Sequence, residues 1–332
     1  MPHIAVVAGC YNEEDNVVEL YERVVKVFAT ELPGYTFELL LIDNASQDRT
    51  VENLRAIALK DKRLKVIVNN RNFGPTRSGY HALLEARGDA IVAMASDLED
   101  PPELIPQFVR KWEEGYKLVL AQKSGSDEGF MFKLVRKAYY RLIATVSETE
   151  LVKDATGFGI YDRRIMEDIR RIGDPYPYMR GLLCEIGDQY CLIPFHKPVR
   201  KRGFSKNNFY SLYDTAMLGI TNLSKVPLRV VTFSGFAGAG LSLLAGFGYL
   251  LYKLLFWDRF SVGVAPLVIG IFFFSSVQLI SVGILGEYIG SIHTYVQKRP
   301  LVTERERVNF DYEPGPPLAG GESTSVRMSG SS

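Results

Sequence analysis

Three carboxylates, Asp97, Glu99 and Asp100, follow directly on an apolar run at residues 90–95. Such a run is typical of a buried parallel strand, and open α/β sheets bind ligands beyond the carboxyl ends of their strands. Asp97 and Glu99 are two residues apart, so in an extended segment their side chains point the same way. Because Mg²⁺ is usually held by one or two carboxylates together with substrate phosphates, the stretch predicts a metal site. The alternative is a solvated acidic turn that only caps a helix beginning at Pro101, with Asp100 as N-cap.

The first 125 residues alternate between strand and helix patterns. Alternation at this spacing predicts βαβ units and an α/β fold with a doubly wound, mostly parallel sheet. The predicted strands are residues 4–9, 37–43, 64–69, 90–95 and 117–122, and the predicted helices are 13–29, 49–60, 76–86 and the one from Pro101. Residues 154–162 are predicted as a loop that enters a short strand.

Polar residues collect where the first four predicted strands end. The four tips are Tyr11-Asn12-Glu13, Asp43-Asn44-Ala45-Ser46, Asn70-Arg71-Asn72-Phe73-Gly74 and the acidic cluster. Any single tip is typical of an ordinary polar loop. Four tips on one sheet edge carry groups that suit a base, a ribose, phosphates and a metal, which favours a nucleotide site. No G-x-G-x-x-G or Walker A sequence occurs, so a dinucleotide-binding or ATPase loop is not supported.

Composition narrows the class of protein. The chain has 332 residues, which suits about two domains, and its net charge of +1 with 23% charged residues does not suggest a nucleic-acid partner. The three cysteines show no metal-ligand spacing and fit reduced, cytosolic thiols, and the N-terminus shows no signal-peptide pattern. Residues 195–206 hold five basic residues and no acid, a pattern that also suits an anchor to anionic lipid.

Two long apolar segments predict a membrane anchor. Residues 230–256 carry Lys253 as their only charge and residues 262–286 carry none, and each can cross a hydrocarbon core of about 30 Å. Because only five residues separate them, we expect an antiparallel transmembrane hairpin within residues 230–290. The flanking basic residues place the N-terminal domain and both termini in the cytoplasm; they are Lys225, Arg229, Lys298, Arg299, Arg305 and Arg307.

The expected organisation has four parts. They are a cytoplasmic α/β domain at residues 1–206, an interfacial juxtamembrane helix at 207–229, the hairpin at 230–290, and a cytoplasmic tail at 291–332 that is disordered after about residue 312. Residues 207–224 have the spacing of an amphipathic helix that lies along a membrane. Residues 125–147 combine such a face with core-packing positions.

Seven short motifs stand in a fixed order along residues 4–310. They are Cys10-Tyr-Asn-Glu13, Ile42-Asp-Asn-Ala-Ser46, Arg71-Asn-Phe-Gly74, Gly88-Asp89, Asp97-Leu-Glu-Asp-Pro-Pro-Glu103, Arg200-Lys-Arg-Gly-Phe-Ser-Lys206 and Gly286-Glu-Tyr-Ile-Gly290. Together they make the chain resemble family 2 glycosyltransferases of the dolichol-phosphate mannose synthase type. The hairpin makes it more similar to bacterial polyprenyl-phosphate glycosyltransferases, of the bactoprenol glucosyltransferase or aminoarabinose transferase kind. The resemblance implies a GT-A type sheet.

The resemblance also implies a role for each matching residue. Tyr11, Glu13 and Asp43 would bind the base and ribose, and Asp97 and Glu99 would hold Mg²⁺ or Mn²⁺ against the diphosphate. Arg71, Lys123, Arg200 and Lys206 would complete the nucleotide-sugar site, and Arg200, Ser205 and Lys206 match a segment that closes over phosphates, including that of the acceptor. Asp154 lies where relatives have a carboxylate credited with helping the acceptor attack, so Asp154 and Asp97 are the catalytic candidates.

The implied reaction is inverting transfer of a sugar from a nucleotide diphosphate sugar, with UDP preferred, to polyprenyl (undecaprenyl) phosphate. It would serve modification of cell-envelope glycans such as lipopolysaccharide at the inner membrane, with a homotetramer by analogy. Two alternatives stay open. A processive polysaccharide synthase would need a Q-x-x-R-W motif, but neither Trp112 nor Trp257 follows an arginine. The chain departs from the family pattern at Ala95, for the first acid of D-x-D, at Asn44, for the second acid of D-D-G-S, and at Gly9, where proline is common. Ala95 and Asn44 favour a catalytically inactive membrane scaffold, whereas the retained Asp97, Glu99, Arg200 and Lys206 oppose it.

Overall fold

A computed structural model of the chain describes residues 1–123, 155–174, 179–186, 189–196, 217, 224–255, 264–297 and 299–310. The strands in these ranges are β1 His3–Cys10, β2 Thr36–Asp43, β3 Leu64–Asn69, β4 Ala90–Ala95, β5 Leu118–Lys123, β6 Ala155–Asp162, β7 Tyr190–Phe195 and β8 Glu304–Val308. The helices are α1 Val17–Glu31, α2 Thr50–Lys60, α3 Pro75–Glu85, α4 Ile105–Glu113, α5 Arg163–Ile172, α6 Met179–Ile186, α7 Val226–Leu255 and α8 Val264–Gln297. A short 3-10 turn, Pro102–Leu104, precedes α4.

The strands form one sheet in the order β7-β5-β6-β4-β1-β2-β3-β8. β1 runs parallel to β2 and β4, β2 runs parallel to β3, and β5 runs parallel to β7. β6 is antiparallel between β4 and β5, and β8 is antiparallel beside β3. The predicted α/β class is confirmed, with a mixed but mostly parallel sheet. The carboxyl ends of β1 to β4 therefore lie along one edge.

Both faces of the central strands are buried, as the uninterrupted apolar runs require. In β1, Ile4 and Val6 pack on the side of α1, α2 and α4, whereas Ala5 and Val7 pack on the side of α3, α5 and α6. The five predicted strands and first three predicted helices form close to their expected bounds. The one large shift is the start of α1, which the sequence placed at Glu13; that residue's carbonyl instead closes a turn by accepting from the backbone N–H groups of residues 16 and 17.

Two strands depart from the sequence prediction. The loop expected at residues 154–162 is mostly the eight-residue strand β6. Its Gly159 is required by a close approach of β5, because a Cβ atom there would lie 2.2 Å from the carbonyl oxygen of Val119. β8 was not expected at all, since its sequence Glu-Arg-Glu-Arg-Val offers no apolar alternation. Three of its four charged residues, Glu304, Glu306 and Arg307, instead form ion pairs with α2 and α3.

Helices α7 and α8 cover most of the two predicted membrane spans, and the segment between them, residues 256–263, lies outside the described ranges. By length and composition, one described segment, Phe273–Gln297, qualifies to cross a membrane. Many large apolar side chains of both helices are exposed; Phe233 is 71% and Leu279 is 72% accessible. In the described ranges, the sheet with its helices forms one compact unit, and α7 with α8 up to residue 294 belongs to a second. The amphipathic helix predicted at residues 125–147 lies outside the described residues, as does nearly all of that at 207–224.

Candidate functional site

The tips of β1 and β2 are tied together by hydrogen bonds. The Asn12 backbone N–H donates to Ser46 Oγ at 2.8 Å, and the Gln47 N–H donates to Asn12 Oδ1 at 2.8 Å. Asn12 and Ala45 both have left-handed backbones, with φ of 55° and 62°. Asparagine tolerates this region through its short polar side chain, whereas alanine adopts it at a cost. These contacts fix the relative position of the first two predicted tips.

Asp43, a predicted base or ribose ligand, is fully buried at the end of β2. Its Oδ2 accepts from the Ser46 backbone N–H at 2.9 Å, and the Cys10 thiol lies 3.9 Å from Oδ1. Burial raises the pKa of the Asp43 carboxyl, against the hydrogen bonds from Ser46 and the positive charge of Arg305. Because the carboxylate is fully covered, its observed role is to hold the tip of β2, and a sugar hydroxyl or base N–H would reach it only if the covering residues moved.

Tyr11 and Glu13 lie in the loop after β1, whose last residue Cys10 pairs with Asp43, and both are half-buried. The Glu13 N–H donates to Thr50 Oγ1 at 2.9 Å, which anchors the loop on the first turn of α2. The Glu13 carboxylate accepts from Asn16 Nδ2 at 2.6 Å. Two of the three predicted base-side ligands, Tyr11 and Glu13, thus come from one loop that is braced against α1 and α2.

A network of amides links the tips of β2 and β3. Buried Asn44 donates from Nδ2 to Asn72 Oδ1 at 2.8 Å, and its Oδ1 accepts from Asn69 Nδ2 at 3.2 Å and from the Phe73 N–H at 2.9 Å. Arg71 is exposed, and its guanidinium lies 4.0 Å from the centre of the Phe73 ring. Asn44 must donate as well as accept, which explains an amide where the family pattern has a carboxylate. From the sequence, Asn44 was noted only as a departure from the family pattern, and its hydrogen-bonding role was not predicted.

The acidic cluster after β4 forms a tight turn and is not extended, so that part of the prediction was wrong. Leu98 has a φ of 62°, and the Glu99 N–H donates to Asp97 Oδ1 at 3.2 Å. Asp100 is not an N-cap, since the residue before the 3-10 turn is Pro101 and the Asp100 carboxylate turns back to accept from the Ala95 N–H at 2.8 Å. Both Asp97 and Glu99 are half-buried beside the β1 tip, where Ser96 Oγ donates to the Gly9 carbonyl at 2.8 Å.

No group of three His, Cys, Asp or Glu side chains that could hold a metal occurs in the described parts of the chain. The carboxylate oxygens of the turn nevertheless fit Mg²⁺ or Mn²⁺ if phosphates and water supply the other ligands. Asp97 and Glu99 are the half-buried carboxylates of this turn, whereas Asp100 is buried and accepts from the Ala95 N–H. Two carboxylate ligands with phosphates and water in the other positions is the usual arrangement for Mg²⁺ at a phosphate substrate.

The remaining predicted residues divide into two groups. Lys123 is half-buried at the end of β5, opposite Phe195 of β7, and is separated from the acidic turn by β6. Asp154, Arg200, Ser205 and Lys206 lie outside the described residues. The described members at the tips of β1 to β4, namely Tyr11, Glu13, Asp43, Arg71, Asp97 and Glu99, share one edge of the sheet.

β8 also contributes to this edge, which was not predicted from the sequence. Glu304, at its start, pairs with Asn69, the last residue of β3, and Arg305 follows it. The sequence-based prediction treated Arg305 and Arg307 only as basic residues that flank the membrane anchor. The signal that could have revealed the strand is the strict alternation of sign from Glu304 to Arg307, which suits an edge strand between two helices.

Comparisons with known proteins agree with this architecture. The family model described as Glycosyl transferase family 2 matches residues 5–170. The chain is 33% identical over 298 residues to the SfII prophage-derived bactoprenol glucosyl transferase of Shigella flexneri, covering 90% of this chain and 96% of that protein. It is 31% identical over 312 residues to an uncharacterized glycosyltransferase of Synechocystis sp., covering 94% and 97% of the two chains.

Solved structures with a similar fold include glucosyl-3-phosphoglycerate synthase from Mycobacterium tuberculosis in complex with Mn²⁺, uridine diphosphate and phosphoglyceric acid. That structure has a TM-score of 0.48 and 18% sequence identity, and the match covers 66% of this chain and 76% of the synthase.

Proposed function

The chain belongs to glycosyl transferase family 2, and from that membership we propose that it transfers a sugar from a nucleotide diphosphate sugar to a polyprenyl phosphate of the bactoprenol type. The observation that carries the proposal is the 33% identity with a bactoprenol glucosyl transferase along 90% of the chain, which includes both the α/β domain and the apolar helices. UDP is the proposed nucleotide, and the chemistry of the exposed tips suits a nucleoside diphosphate.

The donor would bind along the tips of the central strands. Glu13 offers a half-buried carboxylate at the β1 tip, and Asp43 would offer a second at the β2 tip once its covering residues moved. Carboxylates suit the N–H and hydroxyl donors of a base and a ribose. Arg71, held over Phe73, supplies a fixed positive charge at the β3 tip. Lys123, Arg200 and Lys206 would add further charge around the diphosphate, where charge builds up as the glycosidic bond breaks.

Asp97 and Glu99 would hold a divalent metal against the diphosphate. When bound, the metal would act as a Lewis acid that offsets the negative charge of the leaving group. The turn geometry supports this assignment, because the Asx-type bond from Glu99 to Asp97 and the turned-back Asp100 fix the tip that carries both carboxylates.

The acceptor needs little activation. A phosphate monoester has a second pKa of about 6, so it is largely dianionic at neutral pH and already a competent nucleophile. Asp154, directly before β6, would orient the acceptor phosphate, and Arg200, Ser205 and Lys206 would bind its oxygens. Attack on the face opposite the leaving diphosphate inverts the anomeric centre.

The lipid acceptor also fits the proposed membrane arrangement. Strands β1 to β5 and β8 belong to one sheet, so the chain must leave and re-enter the α/β domain on the same side of any membrane it crosses. An even number of crossings between them supports a hairpin of α7 and α8, with the α/β domain and both termini in the cytoplasm of an inner-membrane protein. The exposed apolar side chains of both helices support the same arrangement.

The test is transfer by the purified full-length protein. It would be incubated with undecaprenyl phosphate, Mg²⁺ or Mn²⁺ and a panel of nucleotide sugars, and the glycolipid detected by mass spectrometry. We expect one sugar to be transferred, and Asp97→Asn to lower the rate roughly 100-fold or more, because it removes a charged ligand at the leaving group. Glu103→Gln is the matched control, since the half-exposed Glu103 carboxylate is already paired with Arg23 of α1. Nucleotide binding without transfer from any donor would favour the inactive scaffold.

A further inference from the structure

The segment after α8 is fixed firmly to the candidate donor site. Arg77 of α3 donates to the Pro300 carbonyl at 2.6 Å, and Leu301 and Val302 are buried in the core on that side of the sheet. The Asn70 N–H donates to the Thr303 carbonyl at 2.9 Å, one residue beyond the end of β3. The chain therefore enters β8 at the same edge that carries the four tips.

β8 contains one extra residue at this edge. Val68 of β3 pairs with Glu306 and Asn69 pairs with Glu304, so Arg305 has no partner in the ladder. Such bulges re-aim side chains and are frequent next to active sites. The bulge sits beside the last two residues of β3, where the backbone leads directly into the loop that carries Arg71.

Arg305 also differs from its neighbours in its contacts. Glu304 binds His81 and Arg307, and Glu306 binds Arg55. Arg305 is exposed and forms no ion pair with another residue in the described parts of the chain. Its charge nevertheless reaches the buried Asp43, since it helps to lower the pKa of that carboxyl against the effect of burial.

The position of β8 in the sheet indicates which part of a donor Arg305 could reach. β4, with the candidate metal ligands, lies four strand spacings from β8, which is roughly 19 Å at about 4.8 Å per spacing. Asp43 lies between them, at the tip of β2. A nucleotide with its diphosphate at β4 and its ribose near Asp43 would point its base toward β3 and β8.

We propose that Arg305 is a donor-binding residue that hydrogen-bonds a carbonyl oxygen of the nucleobase, so that the segment after the apolar helices contributes to the choice of nucleotide. This inference rests on the proposed function. The guanidinium is a donor with no acceptor capacity, and it remains charged at all relevant pH values, so a base carbonyl is a suitable partner.

The test compares Arg305→Ala with Arg110→Ala, which removes another exposed arginine, on α4. The full-length protein would first be titrated with UDP, GDP, CDP and dTDP by calorimetry. The diphosphate that binds most tightly and its monophosphate would then be titrated into both variants. We expect Arg305→Ala to weaken binding of the two ligands by the same factor, about tenfold for a lost charge-assisted hydrogen bond, and Arg110→Ala to leave it unchanged.

Each other outcome overturns a different statement. A loss seen with the diphosphate and absent with the monophosphate would mean a phosphate contact and would refute the base assignment. Equal binding by Arg305→Ala and wild type would refute any donor role for Arg305. If the wild type binds none of the four diphosphates, the proposed function fails first, and the inference about Arg305 fails with it. Because Arg305 is exposed and unpaired within the described residues, its variant should melt at the wild-type temperature, which separates lost binding from lost folding.

Discussion

Two arginines that hold β8 in place, Arg307 and Arg55, should contribute very different free energies to the stability of that strand. Arg307 donates to Glu85 at 2.7 Å and to Glu304 at 2.6 Å, with the three side chains only 13%, 13% and 18% exposed. Removing Arg307 would deprive two nearly buried carboxylates of the guanidinium that they share, although His81 would still contact Glu304. Breaking a buried ion pair in this way costs about 3–5 kcal/mol. Arg55 binds Glu306 with side chains 45% and 33% exposed, and such a surface pair contributes about 0–1 kcal/mol.

Hydrogen exchange of the full-length protein measures this difference where it occurs. Arg307→Ala should raise the opening equilibrium of the amides in β8 and in the adjoining residues of β3 by roughly 100-fold or more, because about 1.4 kcal/mol corresponds to a factor of ten. Amides of β1 and β4 should keep their protection. Arg55→Ala should change the opening of β8 by roughly fivefold at most. Equal effects of the two substitutions would refute the reasoning from burial, and unchanged protection in Arg307→Ala would show that the ion pairs do not hold the strand.

Three further outcomes follow from the same structure. Burial raises the pKa of Glu304, but hydrogen bonds from His81 and Arg307 outweigh this effect and lower the pKa to about 2. The contribution of Glu304 to the stability of β8 is therefore present above its unfolded pKa and lost as the pH falls from about 4.5 toward 2. Hydrogen exchange of the β8 amides should show this acid dependence in the wild type and much less of it in Glu304→Gln. Asn44→Asp would set two acceptor oxygens against each other at Asn72, and we expect the KM for the donor sugar to rise roughly tenfold with kcat little changed, measured by steady-state transfer. Gly159→Ala should lower the melting temperature strongly or prevent folding, whereas Gly157→Ala in the same strand, where an added Cβ would meet no atom within 4 Å, should leave melting nearly unchanged.

The parts of the fold that the sequence predicts well are those where burial alone decides the structure. β4 has the expected bounds because six consecutive small or apolar residues have no other stable position than inside a covered sheet. The length of β6 was underestimated because Gly157 and Gly159 are typical of loops. The close backbone approach that requires glycine at residue 159 arises only when β5 pairs with β6. β8 was missed because its stability comes from ion pairs with residues more than 200 positions away, such as Glu85 and Arg55.

The candidate site shows the same division. Residue type and chain order were enough to collect the carboxylates of Asp43, Asp97 and Glu99 at one sheet edge, since parallel strands align their ends. The turn around Leu98 could not be foreseen, because a left-handed backbone at leucine is held there by hydrogen bonds from the surrounding residues. Judged by residue type alone, Asn44 replaces a carboxylate of the family pattern with a group of less use. Its three hydrogen bonds show that it positions the tips of β2 and β3.

The charged sequence of β8 has a further consequence, for how copies of the protein behave toward one another. An unpaired strand edge is a template on which a second chain can add a strand and start aggregation. β3 is apolar and almost fully buried, and β8 covers its edge with alternating acidic and basic side chains that resist such pairing. At the opposite edge, Pro194 in β7 lacks the N–H that a new strand would need. A chain shortened before residue 299 would expose the edge of β3, so loss of the segment after α8 should produce aggregates as well as a weakened site.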